Sequence, residues 1–380
     1  MEDTVKKILF NGLGNRGWIG GIYYIKNIIF SCLQNKEITS KYELVLFIDE
    51  KHADIFEPFK GQITIRVFGN EGKLKLAWAQ AKQVWFGGVK YCYALELNKT
   101  GKLFKNRGIF WIPDFQHKNL PEFFSEEELE RKDANFLEMV MSDRPMVLSS
   151  YDAKNDLERF YPEHKCPVEV VHFVSYIEPE IKKITPKLEH SVAEKFGLHR
   201  NYIYIPNQFW QHKNHIVMVK AIQLLLESGR LTDYDFVFTG NLEDYRNPEY
   251  ISRLKGIMES ETVKHNIKLL GFVGREEQLC IMKNAAFIVQ PSLCEGWGTV
   301  LEDAKVLDKR VLLSDIPVHR EQKNEKCILF DPHQPEKLAD LIAGLAAENK
   351  EEGQEDVSVG IANMYREALE YSKGLERVFR

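Results

Sequence analysis

The chain has 380 residues, 44% of them hydrophobic, which is enough for two ordinary globular domains, each burying its own core. Lysine and arginine number 51 against 56 aspartates and glutamates, a net charge of -5, so the basic field that nucleic-acid binders use is absent and nucleic acid is not expected as a partner. No apolar stretch approaches the roughly 20 residues needed to span a bilayer, the start MEDTVKKILFNGLG lacks the pattern of a secretory leader, and Cys32, Cys92, Cys166, Cys280, Cys294 and Cys327 form no C-x-x-C pair, so a reducing cytoplasm is expected, without a zinc site or a disulfide framework.

Read along the chain, short apolar runs alternate with turns and helical patterns. KKILFNGLG, YELVLFID, GIFWIPD, PMVLSS and VEVVHFV come first, then NYIYIPN, DFVFTG, NIKLLGFV, AAFIVQPS and KRVLLSD. Fully apolar strands alternating with helices are what a parallel sheet covered on both faces requires. The two series imply two such α/β domains. Between them SYIEPEIKKITPKLEHSVAEKFGLHR, with two prolines, mixed charge and few apolar residues, reads as a linker and a lead-in helix. This puts the boundary near residue 176, with domains expected over 1–175 and 176–360. The closing GIANMYREALEYSKGLERVFR has a helical apolar rhythm at Ile361, Met364, Tyr365 and Leu369, so residues 361–380 are expected to pack back towards the first domain. Doubly wound sheets bind ligands outside the carboxyl ends of their strands, so the residues just after each run are the ones to inspect.

After the first run, Gly12, Gly14 and Gly17 fit G-x-G-x-x-G, and Gly20 and Gly21 follow. A dehydrogenase reading would want a ribose-binding acid about 20 residues on, but Asp49 and Glu50 stand further along, which makes that match weak. After NYIYIPN comes QFWQHKNH, with Lys213 at or just before a helix start. A cation is unfavourable there by a few tenths of a kcal/mol or more unless an anion binds beside it; the plain alternative is a solvated surface lysine. Asp233-Tyr234-Asp235 is a D-x-D, but it precedes the strand Phe236-Val237-Phe238 and so lies at the end away from ligands. No metal is expected.

The most informative stretch is residues 285 to 322, AAFIVQPSLCEGWGTVLEDAKVLDKRVLLSDIPVHREQ. A proline turn leads into Glu295-Gly296-Trp297-Gly298, and Thr299 with Glu302 reads as a T-x-x-E capping box that would fix the helix start behind it. Glu295, Glu302 and Asp303 crowd a place where a diphosphate could bind, which makes sense if the carboxylates grip sugar hydroxyls instead. Adjacent helical residues point about 100° apart, so Glu302 and Asp303 cannot both face one ligand. An acidic helix start serving only its dipole explains that pair, but not Glu295 between a proline turn and two glycines.

Here the sequence resembles glycosyltransferase family 4. Pro291-Ser292-Leu293-Cys294-Glu295-Gly296-Trp297-Gly298 matches the first part of that family's E-x(7)-E element, and counting on without a gap brings Asp303 to the second acidic position, where the family has glutamate. The resemblance covers most of the chain and is strongest from 201 to 322. It implies two Rossmann-like doubly wound parallel-sheet domains facing a central cleft (the GT-B fold), the first for an acceptor and the second for a nucleoside-diphospho-sugar donor. It further implies transfer with retention at the anomeric carbon, without metal or cofactor. Glu295 would lie near the donor sugar's hydroxyls and the reacting phosphate, and Asp303, preferred to Glu302, would hold the ribose. Lys213 matches the lysine of an Arg-x(4)-Lys pair that holds the donor diphosphate, whereas Gln208 stands where the arginine would be. Gly12, Gly14, Gly20 and Gly21 would let the backbone approach the donor, Phe272 and Val273 would pack against its base, and Gly296, Trp297, Gly298 and Thr299 would line the loop. In WIPDFQH, Asp114 and His117 would face the cleft from the first domain, with His117 bonding donor sugar or acceptor. The acceptor would be a glycan or lipid-linked glycan of the cell surface, which leaves room for peripheral membrane association. The rival readings are a nucleotide-sugar epimerase on the same fold, the dehydrogenase, and an idle sugar-binding scaffold. The base, the sugar, the acceptor and the oligomeric state are not written in the sequence.

Overall fold

The computed structural model describes residues 6–13, 19–69, 78, 81, 82, 87–95, 107–244, 246–348 and 356–380. The chain divides into two compact units. The first comprises Met1–Lys118, Glu126–Tyr176 and Asn363–Arg380, the second Asn119–Ser125 and Ile177–Ala362.

In the first unit, the described residues form strands β1 (Lys6–Asn11), β2 (Tyr42–Asp49), β3 (Thr64–Phe68), β4 (Val89–Leu95), β5 (Gly108–Ile112), β6 (Met146–Leu148) and β7 (Val168–Val170), all parallel, in the order β3-β2-β1-β4-β5-β6-β7. In the second unit β8 (Asn201–Pro206), β9 (Tyr234–Thr239), β10 (Ile267–Leu269), β11 (Ile288–Gln290), β12 (Val311–Ser314) and β13 (Cys327–Phe330) are parallel in the order β10-β9-β8-β11-β12-β13. Each sheet therefore winds outwards from its first strand to one side and then to the other, which is the doubly wound order with a switch point beside that strand. The two Rossmann-like parallel-sheet domains expected from the apolar runs are present. Three strands were not among those runs. β3 sits at a sheet edge, is only partly covered and mixes polar with apolar residues; β4 is interrupted by Lys90 and by tyrosines whose rings are buried; β13, at the edge of the second sheet, is the short apolar run CILF.

Helices follow the strands: α1 (Ile19–Gln34), α2 (Glu126–Val140), α3 (Tyr151–Phe160), α4 (Pro186–Phe196), α5 (His215–Glu227), α6 (Pro248–Met258), α7 (Arg275–Asn284), α8 (Thr299–Val306), α9 (Pro317–Gln322), α10 (Pro335–Glu348) and α11 (Val357–Val378). Among the described residues none is long and apolar enough to cross a membrane. α4, the lead-in helix, starts with the Thr185 side chain accepting from the Leu188 N–H and with Pro186 in its first turn, and it ends at Gly197 with φ 64°, the left-handed stop that glycine takes without strain. α5 buries Met218, Ala221, Ile222 and Leu225, the spacing of one helical face, against Ile203, Ile205, Phe236 and Phe238 of the sheet and Leu338, Ile342 and Leu345 of α10. Burying a side chain of this size contributes roughly 1.5–3 kcal/mol, which is what holds the strand ends in register.

The first turns of α11 belong to the second unit and the rest to the first. At Gly360 an added Cβ would stand 2.2 Å from the Val306 carbonyl oxygen, so α11 begins where only glycine fits. Further on, Ser372 Oγ accepts from Asn35 Nδ2 at 3.1 Å, and Phe379 packs with Tyr42, Tyr91 and Tyr93. Residues 119–125, which the sequence puts in the first domain, belong instead to the second unit, where the Arg246 guanidinium lies 5.2 Å over the Phe124 ring.

Candidate functional site

The switch point of the second sheet lies between β8 and β11, so the loops after these two strands diverge from one spot. They are Asn207–Asn214 and Pro291–Gly298, the segments that carry Lys213 and Glu295. The loops are joined by their backbones, since the Leu293 N–H donates to the His212 carbonyl at 2.7 Å. Asn214, at φ 54° and ψ 38°, ends the turn Gln211–Lys213 and begins α5. Its side chain sends one amide group to two carbonyls, Pro291 at 3.1 Å and Pro332 at 2.9 Å, and so fastens the loops after β8, β11 and β13 together. Asparagine tolerates this left-handed conformation better than most residues, which is the local reason it follows the lysine.

On this frame Lys213 Nζ donates to Glu295 Oε1 at 2.5 Å, with the two side chains 16% and 12% exposed. Ser292 Oγ donates to the same oxygen at 2.6 Å. Ser292 is held in turn, because Ser314 Oγ donates to its carbonyl at 2.5 Å. With that single hydroxyl proton committed, the contact of Ser314 Oγ with His319 Nδ1 at 3.0 Å requires the proton on Nδ1, which also reaches the Ser314 carbonyl at 3.0 Å. Burial alone would raise the Glu295 carboxyl, but the neighbouring cation Lys213, with His212 and His319 nearby, brings it down to about 2. Both imidazoles are themselves pushed down by burial and so are neutral near pH 7, which leaves Lys213 as the charge that keeps Glu295 ionised. The helix-start lysine thus has its anion within the chain.

Three histidines in this region have their charged forms disfavoured by burial: His212, His215, brought down to about 3, and His319. In the unfolded chain they take up protons near 6.5, so between that pH and their folded values the unfolded state binds more protons and stability falls as the pH drops. We expect denaturant unfolding to give a clearly lower stability at pH 5 than at pH 7, before carboxylates titrate, with about 2 kcal/mol from His215 alone. His215→Phe, which keeps the stacking on Phe209 (centroids 4.3 Å apart), should flatten that slope; an unchanged slope would mean that His215 becomes charged in the fold.

The other loops at the carboxyl edge are tied to the loop after β8 as well. The Asn241 N–H donates to Gln208 Oε1 at 2.9 Å, so Gln208 ties the loops after β8 and β9 together. Gly240, at φ 121°, leaves no room for a side chain, since its Cβ would lie 2.3 Å from the Asn207 carbonyl oxygen. Its N–H reaches the Gly271 carbonyl at 2.8 Å, and beyond it Phe272 is 64% exposed while Val273 is half-buried. The Gln211 N–H donates to buried Asp244, which also holds Arg246 at 3.2 Å.

Several expected roles change. Thr299 does not cap α8. The cap residue is Gly298, and Gln322 of α9 takes over the work of a cap side chain, accepting from the Gly298 N–H and donating to its carbonyl, both at 2.9 Å. Glu302 does not take the Gly298 N–H, which goes to Gln322, and accepts instead from Lys305 Nζ and Gln322 Nε2, each at 2.8 Å. Asp303 is wholly buried and both its oxygens are taken by Arg275, at 2.7 and 2.5 Å, a bidentate pair joining α7 to α8. Neither carboxylate presents a free face for a ribose. Trp297 is buried, with Lys305 Nζ 5.8 Å from its ring centroid, and Gly296 is buried beside it.

In the first unit, His117 is 2% exposed rather than facing a ligand. Its Nε2 lies 3.0 Å from Asp133 Oδ1, its ring meets Phe136, and burial with nearby Lys132 brings it down to about 4. Asp133 also accepts from Lys118 at 2.7 Å, so His117 belongs to a local network in which it is neutral. Asp114 receives the Gln116 N–H and so starts the short turn that points His117 inwards. Gly12 is required by packing, since a Cβ there would come within 2.6 Å of Ile48 Cδ1; Gly20 and Gly21 lie in the first turn of α1, and Gly14 falls outside the described residues. In the D-x-D, Asp235 is buried in β9 and meets Arg200 at 3.2 Å and Lys268 at 3.6 Å. Ser292 entered the sequence reading only as part of the matching motif, and His212, Asn214, Ser314, His319, Gln322 and Arg275 were not singled out; of these six only Asn214, directly after the lysine of a strand-to-helix turn, carried a local signal for its conformation.

Comparison with known proteins places this geometry. Residues 187–357, which include both loops, match the family model described as glycosyl transferases group 1. No curated protein matches the sequence. Among solved structures, the chain is similar to HepE of Anabaena, solved with UDP and glucose (15% identity, 97% of this chain and 95% of that one, TM-score 0.65). It is likewise similar to a glycosyltransferase of Rickettsia africae (16% identity, 97% and 99%, TM-score 0.65) and to the sucrose-phosphate synthase of Thermosynechococcus elongatus (12% identity, 98% and 96%, TM-score 0.63). Identities this low speak for the fold. The Lys213–Glu295 pair therefore lies at a switch point inside the segment that matches the glycosyl transferases group 1 model, in a chain whose two sheets share the two-Rossmann fold of those solved glycosyltransferases.

Proposed function

We propose that this protein is a retaining glycosyltransferase of the family 4 kind, which moves a sugar from a nucleoside-diphospho-sugar to a hydroxyl of a glycan or lipid-linked glycan acceptor in cell-surface polysaccharide synthesis, in the cytoplasm or at the inner face of the membrane. The observation that carries it is the Lys213–Glu295 contact at the switch point, inside the segment matching the group 1 glycosyl transferases. A lysine at the start of α5 can hold diphosphate oxygens beside the helix amides. A carboxylate 2.5 Å from it can accept hydrogen bonds from sugar hydroxyls. As the bond between the anomeric carbon and the phosphate oxygen stretches, negative charge grows on the phosphate, and Lys213 stabilises it from a fixed position. The acceptor oxygen would enter on the face from which the diphosphate leaves, so no protein nucleophile is assigned. The solved complexes with UDP and with UDP-glucose make uridine nucleotides the first donors to try.

With Asp303 and Glu302 engaged inside the fold, the ribose is left to the backbone of the loops after β8, β9 and β10, and the base to exposed Phe272. A panel of UDP-, GDP- and ADP-sugars tested by thermal unfolding is the direct test. A donor at 100 times its dissociation constant should add about 2.7 kcal/mol of stability, and no shift with any nucleotide sugar would sink the reading. Transfer with the donor so found is expected to run at an undiminished rate in excess chelator. Strict dependence on an added divalent cation would show that the proposed metal-independent mechanism is wrong.

A further inference from the structure

Lys213 and Glu295 stand on loops that are tied to each other, so the pair is assembled before a ligand arrives. Their loops are pinned by the Leu293 to His212 backbone bond and by the Asn214 carboxamide, and Glu295 Oε1 is also fastened by Ser292, whose own carbonyl is tied to Ser314. Any phosphate that reaches Lys213 therefore comes close to a carboxylate that stays ionised at neutral pH. Of that carboxylate, only Oε1 receives hydrogen bonds from the described residues, which leaves Oε2 as an acceptor for an incoming hydroxyl.

We propose that Glu295 discriminates the sugar-bearing nucleotide from the bare nucleoside diphosphate left after transfer, because it competes with phosphate oxygens for Lys213 and is compensated only when sugar hydroxyls donate to it. This rests on the donor-site reading above. A nucleoside diphosphate carries about one more negative charge near neutral pH than the same nucleotide esterified to a sugar, because its terminal phosphate has a second ionisation. It also brings no sugar hydroxyl for Oε2. Both differences act against the product, so the carboxylate hastens release of the nucleoside diphosphate and limits inhibition by it. Without the carboxylate, the full charge of Lys213 would fall to the phosphates.

The test is calorimetric titration of UDP, GDP and ADP, and of their sugar conjugates, into wild-type protein and Glu295→Gln, whose carboxamide keeps the size of the side chain. The nucleoside diphosphate that binds wild type is expected to bind Glu295→Gln about tenfold tighter, as the removal of one close charge should give, while the matching nucleotide sugar gains nothing. Equal or weaker binding of the bare diphosphate by the variant overturns the proposal alone. Wild-type protein that binds no nucleotide of either kind overturns the donor-site reading and the proposal with it. A second arm needs no variant: in wild type the nucleotide sugar that supports turnover should bind at least as tightly as its own diphosphate, and a tenfold preference for the bare diphosphate is the contrary result.

Discussion

Replacing Glu295 with Gln or Ala is expected to lower turnover about a hundredfold or more, the scale on which one preorganised polar contact at a reacting centre is lost. The two substitutions differ in what they leave behind. Gln preserves volume and can still accept from Ser292, so its effect isolates the charge; Ala also opens space beside a lysine that is 16% exposed and has lost its counter-ion. We expect both to fail in catalysis and both to be less stable than wild type at pH 7, Ala more so because it also leaves a cavity. Steady-state kinetics with a saturating acceptor, alongside thermal unfolding of each variant, separates the two effects. Near-normal transfer by Glu295→Gln in a folded protein would remove Glu295 from the chemistry and with it the core of the functional reading.

The second large effect is expected at Lys213. If it met the diphosphate equally in ground and transition states, Lys213→Ala would raise the donor KM and spare kcat. Charge on the phosphate oxygens grows as the sugar leaves, so a fixed cation gains interaction along the path, and kcat should fall as well. Lys213→Arg should rescue only in part, because a planar fork does not reproduce a compact ammonium held at 2.5 Å from Oε1. There is also a cost to the fold. Glu295, with an ordinary value of 4.5 and a folded value of about 2, contributes stability that is present above pH 4.5 and lost as the pH falls through about 2. Without Lys213 that contribution, on the order of 2–3 kcal/mol, disappears at neutral pH. Lys213→Ala should therefore unfold earlier than wild type at pH 7, and by less at pH 3, where wild type has lost part of the same contribution. Unchanged kcat, KM and stability would make Lys213 an ordinary surface residue.

The sequence by itself determined that the chain builds two parallel sheets with helices on both faces, because a strand covered on both faces must be apolar throughout, and runs such as YELVLFID and NYIYIPN can satisfy little else. It also directed attention to the residues just after each strand, Lys213 and Glu295 among them; that the loops after β8 and β11 diverge from one switch point follows from the strand order of the fold. Edge strand β3 escaped because a half-covered strand does not need an apolar run, and β4 because Lys90 and its tyrosines break the run. What only the tertiary structure decided was which polar group answers which. Thr299 and Glu302 satisfy the capping pattern in sequence, yet Gln322, two dozen residues from Gly298, holds that helix start instead. Asp303 occupies the second acidic position of the motif, but Arg275 from another helix closes both its oxygens. His117 looked poised at a strand end until Asp133 and Phe136 enclosed it. In each case, burial strips water from a polar group and obliges it to find a partner. That partner is whichever complementary group the packing of distant helices brings within about 3 Å. A local pattern carries the need for a hydrogen bond but not the identity of the residue that meets it.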